Sequence, residues 1–193
     1  MTLGNSQSRY GSIAMLLHWL IAAMVLINVG LGLYFVTLPQ DFPGKSLFTQ
    51  THKSIGMTVL MLSSLRLVWR WLNPQPPLPG NMGPLLRLGS KVVHWLFYFL
   101  LIAIPLAGWC IVSVSPLSIT TIYFGSFKWP HIGFLNSLPM DERRALLPYF
   151  VNTHNALAFL AVALVVLHTA AALYHHFVMK DDVMRRMLPG KET

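Results

Sequence analysis

Four stretches of this chain lack the alternation of apolar and polar positions that marks a surface helix or a half-buried strand. They run approximately over 13–36, 50–72, 89–115 and 150–178, and each is nearly continuous in apolar residues. No Lys, Arg, Asp or Glu interrupts residues 10–40, 92–127 or 145–179, whereas in the second stretch only 54–65 is free of charge. Runs of this length match a bilayer's hydrocarbon thickness, about 20 helical residues. The pattern predicts an all-α membrane protein, a four-transmembrane-helix up-down bundle forming a single domain over residues 1–193. Connections rich in proline and glycine separate the runs, at 38–48 and 73–84, and the longest connection is expected over 116–148. The first run exceeds a removable signal's apolar core and carries His18, so it is read as a resident span.

Composition agrees. Apolar residues make up 54% of the chain and charged ones only 10%, well below the quarter or so of a soluble domain. The net charge of +8 suits contact with anionic membrane lipids, and a chain this apolar is no nucleic-acid binder. Lys and Arg divide unevenly between the two sides of the bundle. Nine (Arg9, Arg66, Arg70, Arg87, Lys91, Lys180, Arg185, Arg186, Lys191) fall with the termini, against five (Lys45, Lys53, Lys128, Arg143, Arg144) opposite. Positive residues favour the cytoplasm, so both termini are expected to be cytoplasmic. Cys110 is the single cysteine, which rules out an internal disulfide and any cysteine-ligated iron–sulfur or Cys₄ zinc centre.

The chemistry lies in the histidines. His154 and His168 are fourteen residues apart in the fourth run. On a helix that interval is a rise of about 21 Å, with the two rings about 40° from superposition. Sorted by depth, His52 and His154 form an outer level, and His18, His94 and His168 an inner one. Ionisable residues inside a membrane mark function, and facing histidines in a bundle core suit haem iron. A zinc or copper centre would use the same side chains. It fits less well, because the histidines separate by depth and no carboxylate enters a span. There is also an internal echo, with His-Trp-Leu at 18–20 and 94–96 and Thr-His at 51–52 and 153–154. It leaves duplication of a two-helix unit and coincidence both open.

The segments LLHWL around His18, QTHKSIG around His52, RLVWRWLNPQPP, THNALAFLAV around His154 and LHTAAALYHH around His168 together resemble the bacterial cytochrome b561 family. The resemblance runs over nearly all of the chain. It implies a dihaem four-helix cytochrome of the bacterial inner membrane, with two haem b as cofactors. The positions matching the family's axial ligands pair His18 with His168 and His52 with His154, leaving His94 without iron. It further implies electron transfer between an outer-face donor and the quinone pool, with ubiquinone as acceptor. For some members the donor is superoxide, an anion that Lys45, Lys53, Lys128, Arg143 and Arg144 would steer. Two other readings stand beside this one: a membrane anchor and electron-transfer subunit for a dehydrogenase or hydrogenase, and a non-redox transporter with a histidine relay. His175 and His94 are candidates for quinone contact or for supporting a ligand. Arg66, Arg70 and Lys53 are candidate partners of haem propionates, with lipid phosphate as the competing partner. His131 and His176 are expected to be ordinary polar residues.

Overall fold

The computed structural model describes residues 2–78, 82–117 and 119–190; Pro79, Gly80 and Asn81 of the proline-rich connection and Lys191 of the tail lie outside them. Four long helices carry the chain back and forth: α1 (Ser12–Phe35), α2 (Lys45–Leu72), α3 (Pro84–Val114) and α5 (Met140–Tyr174). Each is long and apolar enough to cross a membrane. Between α3 and α5 lie a hairpin, β1 (Thr121–Tyr123) and β2 (Phe127–Trp129), and one helical turn, α4 (Gly133–Asn136). The surface is inverted relative to a soluble protein: Leu26, Phe159 and Val166 are 61%, 65% and 64% exposed. Such residues belong against lipid tails.

Three helices begin earlier than the apolar pattern suggests, α3 among them, at Pro84. The α2 helix starts at Lys45, directly after Gly44, whose φ of +90° ends the preceding turn in a conformation costly for any residue but glycine. The α5 helix starts at Met140, after Pro139. The charged patch 141–144 is therefore its first turn and not part of a loop. Asp141 and Glu142 there meet the positive end of the helix dipole. At its other end α5 widens into a π-type turn, His175–Met179, closed by Lys180 at φ +53°.

The connection over 116–148, expected to be irregular, is ordered by α2. Gln50, Ser54 and Thr58 stand four residues apart and so share one helix face. The Gln50 side chain donates to the Thr120 carbonyl (3.0 Å) and accepts from Ile122 N–H (3.0 Å). Ser54, fully buried, accepts from Phe124 N–H at 3.0 Å, and Thr58 Oγ1 lies 2.8 Å from the Tyr123 hydroxyl. This stripe takes up the hairpin's unpaired strand edge.

Backbone packing runs α1 on α2, α2 on α3 and α3 on α5. Leu100, Ala161 and Leu164 bury the α3–α5 seam, supported by Phe97, Ile104 and Leu157. Among the described residues, neither α1 nor α2 has comparable backbone contact with α5. The histidines lie across those wider separations.

Candidate functional site

At the hairpin end, His52 of α2 faces His154 of α5 with ring centres 6.2 Å apart and planes crossed at 73°. Each ring is held by the helix beside it. His52 Nδ1 lies 3.0 Å from the Asn28 carbonyl oxygen in α1, and His154 Nδ1 lies 2.9 Å from that of Ile104 in α3. A carbonyl only accepts, so both Nδ1 atoms carry the proton and donate it. Nε2 of each ring is then the nitrogen with a free lone pair. Glycines make room for the rings. A Cβ on Gly32 would stand 3.1 Å from His52 Cε1, and one on Gly108 would stand 3.3 Å from His154 Cε1.

At the other end His18 of α1 faces His168 of α5, centres 6.3 Å apart and planes at 68°. His94 of α3 reaches the same place, 5.7 Å from His168 and perpendicular to it. His94 Nδ1–H donates to Ser90 in its own helix at 2.6 Å, and Phe97 covers another edge of His168 at 5.4 Å. Arg66 Nη1, which can only donate, lies 2.9 Å from His18 Nδ1. Arg66 and Arg70 stack over Tyr98 at 6.0 and 5.7 Å, and Arg70 also over Trp95 at 5.7 Å. Among the described residues neither guanidinium forms an ion pair. Two half-buried cations beside a membrane core without a carboxylate are costly, and call for an anion from outside the chain.

The tails close over this end. Arg9 donates to the carbonyls of Gly190 (2.8 Å), Arg185 (3.4 Å) and Leu188, and Trp19 Nε1 donates to Met187 at 2.8 Å. Tyr10 lies beneath them. Burial pushes its phenol up from the usual range, while Arg70 and Arg66 pull the other way. His175, in the widened turn, donates Nδ1–H to Asp181 Oδ2 at 2.5 Å, and Asp181 Oδ1 accepts from Val183 N–H at 3.1 Å. Wide turns of this kind recur at functional sites. His176 Nδ1 is buried with no partner among the described residues, and His131 lies 3.5 Å from Thr120 Oγ1 in the hairpin region.

Of the five cations opposite the termini, fewer are free than the sequence suggests. Arg143 is buried and donates to the Ser115 carbonyl at 2.5 Å, and Lys45 donates to Leu38 at 2.7 Å. Lys53 is half-buried beside His52. Arg144 pairs with Asp141 at 3.7 Å, leaving Lys128 exposed on the hairpin. Sequence reasoning missed Gly108, Tyr10 and the Gln50–Ser54–Thr58 stripe. The stripe had a readable signal in its four-residue spacing.

The residues suit a flat macrocycle with an acidic edge. A typical metal–imidazole bond is about 2.0–2.1 Å and the bound nitrogen lies about 1.1 Å from its ring centre, so two rings on opposite sides of one metal stand about 6.3 Å apart. The two pairs stand at 6.2 and 6.3 Å. At the hairpin end, Nδ1–H bonds to carbonyls are the usual outer support of a metal-binding imidazole; at the tail end His18 Nδ1 accepts from Arg66 instead, and Arg66 and Arg70 offer cations to carboxylates. His18, His94 and His168 share one level, but among the described residues no group of three His, Cys, Asp or Glu side chains is arranged to hold a bare metal ion.

Comparison with known proteins points the same way. Residues 9–190 match the family described as prokaryotic cytochrome b561. The chain is 35% identical to cytochrome b561 homolog 2 of Escherichia coli (strain K12), covering 100% of this chain and 97% of that one. It is 26% identical to a probable superoxide oxidase, CybB, of Yersinia pestis, over 95% and 97% of the two chains. It is 27% identical to cytochrome b561 homolog 1 of Escherichia coli (strain K12), over 96% and 99%.

Proposed function

The chain belongs to the prokaryotic cytochrome b561 family, and from that premise we propose that it holds two haem b, one near each face of a bacterial inner membrane, and carries electrons between an outer-face donor and ubiquinone. At the coarser level it is a bacterial multi-pass membrane protein and a b-type cytochrome of electron transfer. In the proposal His52 and His154 are the axial ligands at the hairpin end, and His18 and His168 those at the tail end. The hairpin end is the outer face and both termini are cytoplasmic. The single observation that carries the reading is the pair of ring separations, 6.2 and 6.3 Å, each spanning α5 and an opposite helix.

A bound haem supplies reversible one-electron chemistry at its iron. The chain's own residues do the rest. His154 and His168, fourteen residues or about 21 Å of helix apart on α5, would each hold one iron, with His52 of α2 and His18 of α1 opposite them. Arg66 and Arg70 neutralise carboxylates at the inner end, and His94 and Phe97 wall the His168 ring. His175, oriented by its bond to Asp181, would donate or relay a proton to a quinone oxygen at the cytoplasmic side. Lys53 is the corresponding cation at the outer level.

Superoxide as donor is supported by the name of the Yersinia pestis relative. Electrostatic steering toward the outer face is modest in this chain. Arg143 is buried, Lys45 is tied to a carbonyl, and Asp41, Asp141 and Glu142 are exposed on the same side as Lys128 and Arg144.

A pyridine haemochrome assay on purified wild type and on His18→Ala, His52→Ala, His154→Ala and His168→Ala tests the ligand set. Two haems b per chain are expected for wild type, with one lost in each variant. A variant that keeps both removes its residue from the set, and the same loss in His94→Ala but not His18→Ala would move the inner ligand to α3. Stopped-flow mixing with superoxide tests the donor: reduction of the bound haem is expected, and its absence removes superoxide.

A further inference from the structure

The repetition seen in the sequence extends into space. The shift that carries His18-Trp19-Leu20 onto His94-Trp95-Leu96 also carries Asn28 onto Ile104 and Gly32 onto Gly108. The shift that carries Thr51-His52 onto Thr153-His154 carries Arg66 onto His168. The contacts repeat with the residues. His52 leans on α1, donating to the Asn28 carbonyl at 3.0 Å with Gly32 against Cε1. His154 leans on α3, donating to the Ile104 carbonyl at 2.9 Å with Gly108 against Cε1. In both helices the glycine is one turn beyond the accepting carbonyl, and is therefore the residue whose N–H that carbonyl already receives in the helix. The contact distances for an added Cβ, 3.1 and 3.3 Å, are both tighter than most Cβ contacts, so each ring would have to shift by a few tenths of an ångström.

We propose that Gly32 and Gly108 are matched positioning residues of the outer iron site, one in each of two repeated helix pairs, α1–α2 and α3–α5. The inference rests on the haem reading above and adds to it what sets the ligand rings. Each glycine lets an imidazole lie against the neighbouring helix. The carbonyl one turn back fixes which nitrogen carries the proton and how the ring is turned about its bond to the metal. The two outer rings thus approach the iron from equivalent surroundings, and their crossing angle is a property of the helix pairs. At the inner level the repeat is broken. The counterpart of His168 is Arg66, so α2 offers a guanidinium where α5 offers an imidazole, and the inner iron must take its second ligand from another helix.

The test uses full-length haem-loaded protein with Gly32→Ala and Gly108→Ala, and with Gly30→Ala and Gly89→Ala, where an added Cβ meets nothing within 4 Å. Three quantities are read: haem per chain, the midpoint potential of each haem, and the ferric low-spin electron paramagnetic resonance signal, whose g values report the angle between the axial rings. Gly32→Ala and Gly108→Ala are expected to displace the signal and midpoint of the same haem, the one that His52→Ala deletes, or to lose that haem. The other haem, and both controls, are expected to stay as in wild type. Unaltered outer signals, effects on different haems, or equal effects from Gly30→Ala would overturn the proposal. If an alanine variant does not accumulate, it is remade with the facing ring removed, as Gly32→Ala with His52→Ala and Gly108→Ala with His154→Ala. Recovery of the remaining haem there supports the proposal, because the clash is with the ring, and continued failure overturns it. Retention of both haems by His52→Ala and His154→Ala alone would instead sink the ligand reading beneath it.

Discussion

Replacing Arg66 by glutamine should separate the two ends of the bundle. Arg66 sits half-buried within α2, donates to His18 and has no carboxylate partner among the described residues. If its guanidinium holds a haem propionate, Arg66→Gln removes a hydrogen bond between charged groups, worth about 1.5–3 kcal/mol. That corresponds to about a 10- to 150-fold faster release of the inner haem, since 1.4 kcal/mol is about tenfold. The outer haem proposed at His52 and His154, at the opposite end of the helices, should be released at the wild-type rate. In haem-free protein the sign reverses, because glutamine removes a cation without a carboxylate partner from the edge of the apolar slab. The assay is transfer of haem from detergent-solubilised protein to an excess of apomyoglobin, with the two haems distinguished by midpoint potential, run on wild type, Arg66→Gln and Arg66→Lys. Lysine keeps the charge but not the fork, and should fall between the two. Equal acceleration at both ends, or none at either, would refute the reasoning. A loss of stability shared by the haem-free and haem-loaded forms would assign Arg66 to lipid phosphate.

Three further outcomes follow from the same contacts. Ser54→Ala leaves Phe124 N–H without its acceptor; at about 1–3 kcal/mol for such a group, deuterium uptake in the segment 120–126 should rise about 5- to 150-fold, and unchanged uptake would mean that the hairpin is held by something else. Asp181→Asn removes the carboxylate that orients His175. If the dyad serves the proposed quinone site, quinone reduction should fall by about tenfold or more while haem reduction by an artificial donor stays constant, and equal turnover would free the dyad from any proton role. Arg143→Ala strips the Ser115 carbonyl of its buried donor and should lower the melting temperature, whereas Arg144→Ala, at an exposed pair, should leave it unchanged. With an anionic reductant, neither variant should lower the rate by more than about two- to threefold, the scale of one surface charge at about 10 Å in water.

The spans and the two histidine levels were readable from the chain because both depend only on position along a helix axis. Charge-free runs delimit what can lie in lipid, and a fixed rise per residue converts the interval between His154 and His168 into a depth. The resemblance then supplied the pairing that depth could not, because His18 and His94 lie at one level and periodicity treats them alike. Where helices extend past the lipid the pattern failed, since Lys45 and Asp141 to Arg144 end an apolar run without ending a helix. The hairpin was missed for another reason: its strands are three residues long and are held by α2 side chains far away in sequence.

What only the tertiary structure decided is which faces meet. Glycine at 108 reads as an ordinary small residue until the His154 ring is seen lying against it, and Arg143 reads as a surface cation until the Ser115 carbonyl is found beside it. A helix in lipid is apolar on every side, so its sequence carries little trace of the face that turns inward. That choice is made by side chains interlocking between helices, and the few ångströms separating a pair of imidazoles are set there.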